Sequence, residues 1–254
     1  MKTLDSKLGG YPRSAFERIA RIEENHAWFS HRADLLIWAM NRFFPESSSF
    51  LEVGCGTGLL LKAIKLSRPE LQVWGGDMHE EGLCFAREKL PDVQFFNLDA
   101  REELPLDEVD VIGSFDVLEH IEQDELVLGN FRSKVSSAGG IIITVPNHPW
   151  LWGEIDVYSG HVRRYTASEL TRKVESAGFQ VVFRSAFVST LLPLVAISRM
   201  KQRVFGLKDP YGELEINPLV NEVLKKLCYP ERLFIEAGNS LPIGSSLLLV
   251  AKPV

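Results

Sequence analysis

The chain is organised around the stretch Phe50-Leu51-Glu52-Val53-Gly54-Cys55-Gly56-Thr57-Gly58-Leu59-Leu60-Leu61. A short apolar run, a glycine at every second position and a second apolar run predict a buried strand, a tight turn and the start of a helix. Glycine suits a turn whose backbone needs positive φ, or one against which a ligand packs with no room for Cβ. The N–H groups that open the helix would face this ligand. The stretch therefore predicts a turn that holds a nucleotide-like ligand.

The glycine spacing separates two kinds of nucleotide turn. The dinucleotide pattern G-x-G-x-x-G needs a third glycine where this chain has Leu59. The observed G-x-G-x-G, with an acid two residues before it, resembles the first motif of class I S-adenosylmethionine-dependent methyltransferases. This resemblance implies that the cofactor S-adenosyl-L-methionine is bound at Glu52, Gly54, Cys55, Gly56 and Gly58. An NAD-dependent oxidoreductase is the alternative that Leu59 disfavours.

Size and composition narrow the class of protein. The chain has 254 residues, 45% of them hydrophobic, and a formal net charge of −6, with a pI near 5.6. A core of useful size is expected, and a nucleic-acid partner is not, because such surfaces are usually basic. Three cysteines without metal-ligand spacing suggest neither a disulfide framework nor a zinc site. Without a signal-peptide core or an apolar run of transmembrane length, we expect a cytoplasmic protein.

An aromatic segment precedes the glycine turn. Residues 26–32 resemble the His-x-Trp-Phe-x-x-Arg segment that lids the cofactor in many small-molecule methyltransferases. The resemblance implies that Trp28 and Phe29 cover the cofactor and that Arg32 lies near its methionine carboxylate. The alternative is that both aromatic residues belong to the core and that Arg32 is a surface charge.

Two acids follow at the ends of the next predicted strands. Asp77 lies about 20 residues after the first glycine, where a carboxylate can accept from both ribose hydroxyls. Met78 would pack beside the adenine. The family resemblance makes Asp99 the acceptor for the adenine amino group and Ala100 a backbone donor. Helix capping is the alternative role for Asp99.

Residues 116–121 read Asp-Val-Leu-Glu-His-Ile and resemble the fourth motif of the same superfamily, in its small-molecule branch. This resemblance also implies that Phe115 and His120 contribute to the cofactor pocket. We expect a helix that carries Asp116, Glu119 and His120 on one face. Ubiquinone-biosynthesis O-methyltransferases bind a divalent ion through a similar set, but many relatives carry Leu-Glu-His without a metal. We predict no metal, and calorimetric titration would test this.

Strands and helices alternate through residue 146, which predicts a Rossmann-like, doubly wound α/β fold. The resemblance implies seven strands, mostly parallel, with the last strand antiparallel between strands five and six. We expect a single methyltransferase domain over residues 1–254. Its parts are an N-terminal helical lid, a cofactor-binding core, a helical insertion and a final strand (1–46, 47–188, 189–243 and 244–254).

The loop at 147–165 lies where open α/β sheets bind ligands, and its many histidine, arginine and aromatic residues predict a substrate site. His161 is the first candidate for a general base, because an imidazole titrates near neutrality, and His148 is its rival. The alternative is that His161 forms a hydrogen bond within the loop and takes no part in the chemistry. Arg163 and Arg164 either hold an anionic substrate or form a solvated charge pair.

The insertion contains two apolar helix candidates. The first, with basic residues at its end, has two interpretations: a helix packed over the sheet or in a dimer contact, which we favour, and a helix on a membrane surface. The function expected is methyl transfer from S-adenosylmethionine to an oxygen or nitrogen of a small-molecule or lipid-like acceptor, by a monomer or homodimer. The alternative is a non-catalytic protein that binds the same cofactor.

Overall fold

The computed structural model describes residues 13–206 and 216–254. Seven strands form one sheet in the order β3-β2-β1-β4-β5-β7-β6. Their bounds are Ser49–Val53 (β1), Gln72–Asp77 (β2), Gln94–Asn97 (β3), Val109–Phe115 (β4), Val135–Pro146 (β5), Phe179–Phe187 (β6) and Ser246–Pro253 (β7).

The direction of the strands follows the expected Rossmann-like pattern. Strands β1 to β5 pair in parallel, whereas β7 lies antiparallel between β5 and β6. Strand β5 reads as a continuous apolar run at its centre because both of its faces are buried. The predicted fold and the predicted position of the last strand are therefore confirmed.

Helices cover both faces of the sheet. One core cluster places α5 and α7 against the sheet, and the other places α2, α3 and α9 against the opposite face. The helices are Arg13–Ile22 (α1), Ala27–Phe43 (α2), Leu59–Ser67 (α3), Glu80–Lys89 (α4), Asp124–Lys134 (α5), Glu154–Tyr158 (α6), Ala167–Ser176 (α7), Leu192–Phe205 (α8) and Pro218–Glu236 (α9).

The segment after β4 differs from the expected helix. Asp116 has φ of +58°, and a short 3₁₀ turn covers Leu118–His120. A left-handed residue does not belong to a right-handed α-helix, and α5 begins only at Asp124. The prediction that Asp116 shares a helix face with Glu119 is therefore wrong.

The N-terminal helices are tied to the glycine turn. Glu23 is 2% exposed and accepts hydrogen bonds from the Thr57 hydroxyl at 2.6 and 2.8 Å. Lys89 of α4 pairs with the same carboxylate. These contacts hold the chain before α2 beside the turn between β1 and α3. Residues 1–12 of the expected lid lie outside the described residues.

Helices α8 and α9 lie between β6 and β7, where a helical insertion is expected. Glu231 of α9 is buried and accepts hydrogen bonds from the backbone N–H groups of Val188, Ser189 and Thr190. His31 of α2 lies 3.0 Å from the same carboxylate. Because four groups share one buried acceptor, α9 is fixed to α2 and to the end of β6.

The link between α8 and α9, residues 207–215, lies outside the described residues. The exact bounds of the lid, core and insertion stay predictions. Within 13–206 and 216–254, no helix is both long and apolar enough to cross a bilayer.

Candidate active site

The glycine turn has the backbone conformation that its residues predict. Gly54, Gly56 and Gly58 have φ of +80°, +51° and +76°, which L side chains rarely adopt. A Cβ on Gly54 would lie 2.2 Å from Cγ2 of Val117, and one on Gly58 would lie 3.1 Å from Cα of Ala86. The turn is thus packed closely against the segment after β4 and against α4.

Two acids lie at the carboxyl ends of β1 and β2, on either side of this turn. Asp77 accepts hydrogen bonds from the N–H groups of Gly56 and His79, both at 2.8 Å. Burial nevertheless raises its pKa. Glu52 is 2% exposed, and its Oε2 has no hydrogen-bond partner among the described residues. Burial raises the pKa of Glu52 to about 8, although Arg32 opposes the shift.

The third acid, Asp99, follows β3. It forms a bidentate pair with Arg101, whose Nε lies 2.9 and 3.0 Å from the two carboxylate oxygens. The hydrogen bond from Arg101 lowers the pKa of Asp99 despite partial burial. Asp99 therefore has a protein partner in addition to any role toward a ligand.

The aromatic segment encloses one side of the site. Arg32 is 8% exposed, so it is not a surface charge. Its guanidinium lies 4.3 Å from the centroid of the Trp28 ring and 5.6 Å from that of Phe29. It also forms an ion pair with Asp116. The ion pair between Lys89 and Glu23 is separate from this group of side chains.

A cavity of about 900 Å³ connects these features. Every residue predicted to bind the cofactor lines it except Gly58, whose role is in helix packing. The cavity has room for S-adenosylmethionine. The open glycine turn and the unsatisfied Oε2 of Glu52 supply the surface and the acceptor that its methionyl-ribose portion requires.

The loop at 147–165 brings His161 to the same cavity. Its Nδ1 lies 2.9 Å from Oδ1 of Asp156, a carboxylate that also accepts from Arg164 Nε at 2.8 Å and from the Gly153 N–H at 2.8 Å. Burial opposes ionisation of Asp156, but the hydrogen bond from His161 and the charge of Arg164 outweigh it and lower the pKa. A carboxylate on Nδ1 fixes the proton there and leaves Nε2 as an acceptor.

The other ring nitrogen of His161 faces a second carboxyl group. Its Nε2 lies 3.9 Å from Oε1 of Glu119, a residue that is fully buried. Burial and the neighbouring Asp116 raise the pKa of Glu119 well above its usual range. Burial and His161 lower the pKa of His120 to about 3, and the two imidazoles meet edge to face with centroids 4.7 Å apart. The environment therefore favours the ionised form of Asp156 and the neutral forms of Glu119 and His120.

The same side chains are the candidate metal ligands of the described part of the chain. Ligand atoms of Glu119, His120 and His161 lie within 4.8 Å of one another. The sequence suggests Asp116, Glu119 and His120 as the side chains that a metal would use. In the structure Asp116 pairs with Arg32 instead, and His161 of the loop takes its place beside Glu119 and His120. The absence of a metal stays a prediction.

The remaining loop residues lie elsewhere. His148 stacks on Trp150, with ring centroids 5.6 Å apart, and is not among the residues that line the cavity. Arg163 pairs with Asp124, and Arg164 is buried against Asp156. Neither arginine belongs to a solvated charge pair.

Asp156 is the residue that sequence reasoning missed. An acid five residues before a histidine has no fixed geometry in a loop, so the sequence alone assigns Asp156 no role. The short helix α6 and the hydrogen bond from the His161 N–H to the Asp156 carbonyl, 2.9 Å, turn the two side chains together. The sequence contained one indication of this role, because Asp156 lies five residues before the candidate base His161.

The sheet order, the antiparallel β7, the glycine turn and the acids after β1 and β2 define a class I S-adenosylmethionine-dependent methyltransferase. The chain belongs to the methyltransferase domain family, whose model matches residues 28–183. It is 30% identical over 178 residues to a probable S-adenosylmethionine-dependent methyltransferase of Mycolicibacterium smegmatis. That match covers 67% of this chain and 66% of the relative, so it spans slightly less than two thirds of the relative's length.

Solved structures share the fold at low sequence identity. The methyltransferase bound to the Haloferax volcanii Trm112 methyltransferase activator has a TM-score of 0.62 at 16% identity, covering 94% of this chain and 97% of that one. Haemonchus contortus phosphoethanolamine N-methyltransferase 2, in complex with S-adenosyl-L-methionine, has a TM-score of 0.57 at 17% identity, covering 87% and 52%. The expected family and cofactor are confirmed, and the oxidoreductase alternative is set aside.

Proposed function

We propose that this protein transfers a methyl group from S-adenosylmethionine to an oxygen or nitrogen of a small-molecule or lipid-like acceptor, with His161 as general base. The observation that carries the proposal is the Asp156–His161 hydrogen bond of 2.9 Å within the cavity that the glycine turn also lines. A carboxylate, an imidazole and a cofactor surface thus line the same cavity.

The cofactor supplies a methyl group that is already activated on a sulfonium, so the protein's main task is alignment. We propose that Glu52 pairs with the methionine amino group, because its buried Oε2 has no hydrogen-bond partner within residues 13–206 and 216–254. Arg32 then lies near the methionine carboxylate, with Trp28 and Phe29 as the lid. Asp77 accepts from the ribose hydroxyls, and Asp99 and Ala100 read the adenine edge. Gly54, Gly56, Cys55, Met78, Phe115 and His120 complete this set.

Proton transfer is the task of the loop. Nε2 of His161 would accept the proton of the acceptor's hydroxyl or amine as the new bond to carbon forms. The resulting imidazolium would lie between the ionised Asp156 at 2.9 Å and the Glu119 carboxyl at 3.9 Å. Neutral His120, whose ring abuts His161, adds no opposing charge. His148 stays the rival base, although the cavity lining does not include it.

Part of the cavity lining supports a lipid-like acceptor. Leu191, Val195 and Leu224 line the cavity, and an apolar lining favours an acceptor with an apolar portion. A cytoplasmic location, the absence of nucleic acid and a monomeric or homodimeric state stay predictions.

The test measures S-adenosylhomocysteine formed by the purified protein over a panel of hydroxyl and amine acceptors, with and without an alkyl chain. We expect His161→Gln to lower kcat by about 10²- to 10⁴-fold, with an unchanged cofactor Kd in equilibrium dialysis. His148→Gln is the matched control, because it changes a histidine of the same loop outside the cavity.

Two results would contradict the proposal. Activity of the His161→Gln protein within threefold of the unchanged protein would exclude His161 as the base. Cofactor binding without turnover of any acceptor would favour the non-catalytic alternative. Calorimetric titration with magnesium, calcium and zinc tests the predicted absence of a metal at Glu119, His120 and His161.

A further inference from the structure

The outward faces of α8 and α9 are unusually apolar. Among the described residues, twenty large hydrophobic side chains are exposed, and five of them lie on α8 and seven on α9. Ile197, Met200 and Val204 are 50%, 64% and 72% exposed, at the spacing of one α8 face. On α9, Leu219, Val223 and Leu227 are 78%, 55% and 45% exposed, again along one face. We call these six residues the outer apolar face.

The opposite sides of the same helices are already occupied. Val195 of α8 and Leu224 of α9 line the cavity, and Cys228 and Ile235 of α9 are buried in the core. A surface helix of a soluble domain normally has a polar outer side. Exposed apolar side chains aligned along two helices indicate a binding surface rather than scattered hydrophobic residues.

The charges on α8 indicate the partner's chemistry. The ionisable residues of α8 are all basic, on a chain with a net charge of −6. Arg199 lines the cavity, and Arg203 donates to the carbonyls of Trp150 and Trp152 at 2.7 and 3.0 Å. Lys201 is exposed, so it is the α8 cation that can meet a partner. On α9, Lys226 is exposed, and Lys225 pairs with Glu222 at 2.8 Å. Apolar side chains flanked by cations match the interface of an anionic bilayer. A second copy of the chain fits less well, because a two-fold contact would place the basic α8 helices against each other.

We propose that the outer apolar face docks on the surface of an anionic phospholipid bilayer, with the exposed Lys201 and Lys226 directed toward the headgroups. Neither α8 nor α9 is a spanning helix, so the contact is peripheral. A helix is about 10 Å across, so the bilayer would lie one helix diameter from the cavity wall formed by the inner sides of the same helices. The docking does not depend on the proposed function.

The experiment is sedimentation of the full chain with phosphatidylcholine vesicles, with and without phosphatidylglycerol, at low salt. We expect the protein to pellet only with the anionic vesicles and to be released at high salt. Met200→Glu should lower the partition coefficient at least tenfold. Lys201→Ala should lower it about fivefold, which corresponds to ~1 kcal/mol for one surface cation.

Leu66→Glu is the matched control, because Leu66 is 71% exposed but lies on α3. It should change vesicle binding less than twofold, and all three variants should keep the cofactor Kd, which shows that they fold. The proposal is overturned if the unchanged protein stays in the supernatant, or if Leu66→Glu acts as strongly as Met200→Glu. It is also overturned if analytical ultracentrifugation shows a dimer that Met200→Glu dissociates. Because the assay needs no acceptor, His161→Gln should bind vesicles normally, which separates this inference from the proposed function.

Discussion

Glu52 should reduce the stability of the cofactor-free protein as the pH rises. Burial raises its pKa from the model-compound value of 4.5 to about 8, and each unit corresponds to ~1.36 kcal/mol. Between these two values the native state holds a proton that the unfolded state has released. The free energy of unfolding therefore falls with pH, by about 1.4 kcal/mol per unit and by about 5 kcal/mol across the whole window.

The perturbation is Glu52→Gln, which keeps the shape of the side chain and removes the titration. We expect the free energy of unfolding to match that of the unchanged protein near pH 4 and to exceed it by about 3 to 5 kcal/mol at pH 8 to 9. Urea unfolding without cofactor, at one-unit steps from pH 4 to pH 9, measures the slope. Glu88→Gln is the control, because Glu88 is an exposed residue of α4.

The same change should weaken cofactor binding. If Glu52 pairs with the cationic amino group of the cofactor, its loss removes a charge-assisted contact worth about 1.5 to 3 kcal/mol, or about 10- to 150-fold in Kd. Glu52→Gln would then be more stable than the unchanged protein and a weaker binder. An unaltered slope of stability against pH would refute the burial argument, and an unaltered Kd would refute the contact with the cofactor.

Three further outcomes are expected. Gly54→Ala should lower the free energy of unfolding by about 1 to 2 kcal/mol because of the positive φ at this position. The loss should be larger still because the Val117 side chain must move to make room for the new Cβ. Thermal unfolding measures the loss of stability, and the cofactor Kd measures the effect on the turn. Asp156→Asn should lower kcat about 10²-fold or more, because the imidazole of His161 would no longer be held with its proton on Nδ1. The cofactor Kd should stay unchanged in dialysis. Glu231→Gln should destabilise the fold by about 2 to 3 kcal/mol in urea unfolding, because its buried donors lose an ionised acceptor.

The sheet and the turn were predictable because their causes are local. Alternating apolar runs and helices predict a doubly wound sheet, and Leu59 in place of a glycine separates two nucleotide turns. The error at Asp116 has a local cause too. Its spacing from Glu119 suits a helix, but the chain leaves β4 through a left-handed residue, which no spacing reveals.

The chemistry of the loop was only partly predictable. The sequence ranks His161 ahead of His148 as the candidate base, but it does not show which of the two reaches the cavity, and in the structure His161 does. The N–H of Val162 donates to the carbonyl of Glu119 at 2.7 Å, which pins the loop beside the segment after β4. That contact joins residues 43 positions apart, so periodicity carries no information about it.

By itself, the sequence determined the fold class, the turn conformation and the cofactor, because these depend on short-range φ preferences, hydrophobic periods and motif spacing. Only the tertiary structure decided that His161 meets Asp156 and Glu119, that Glu52 is buried without a partner on Oε2, and that α8 and α9 face outward with apolar side chains. Burial and long-range contact set these features. They exist only once distant segments have packed against one another.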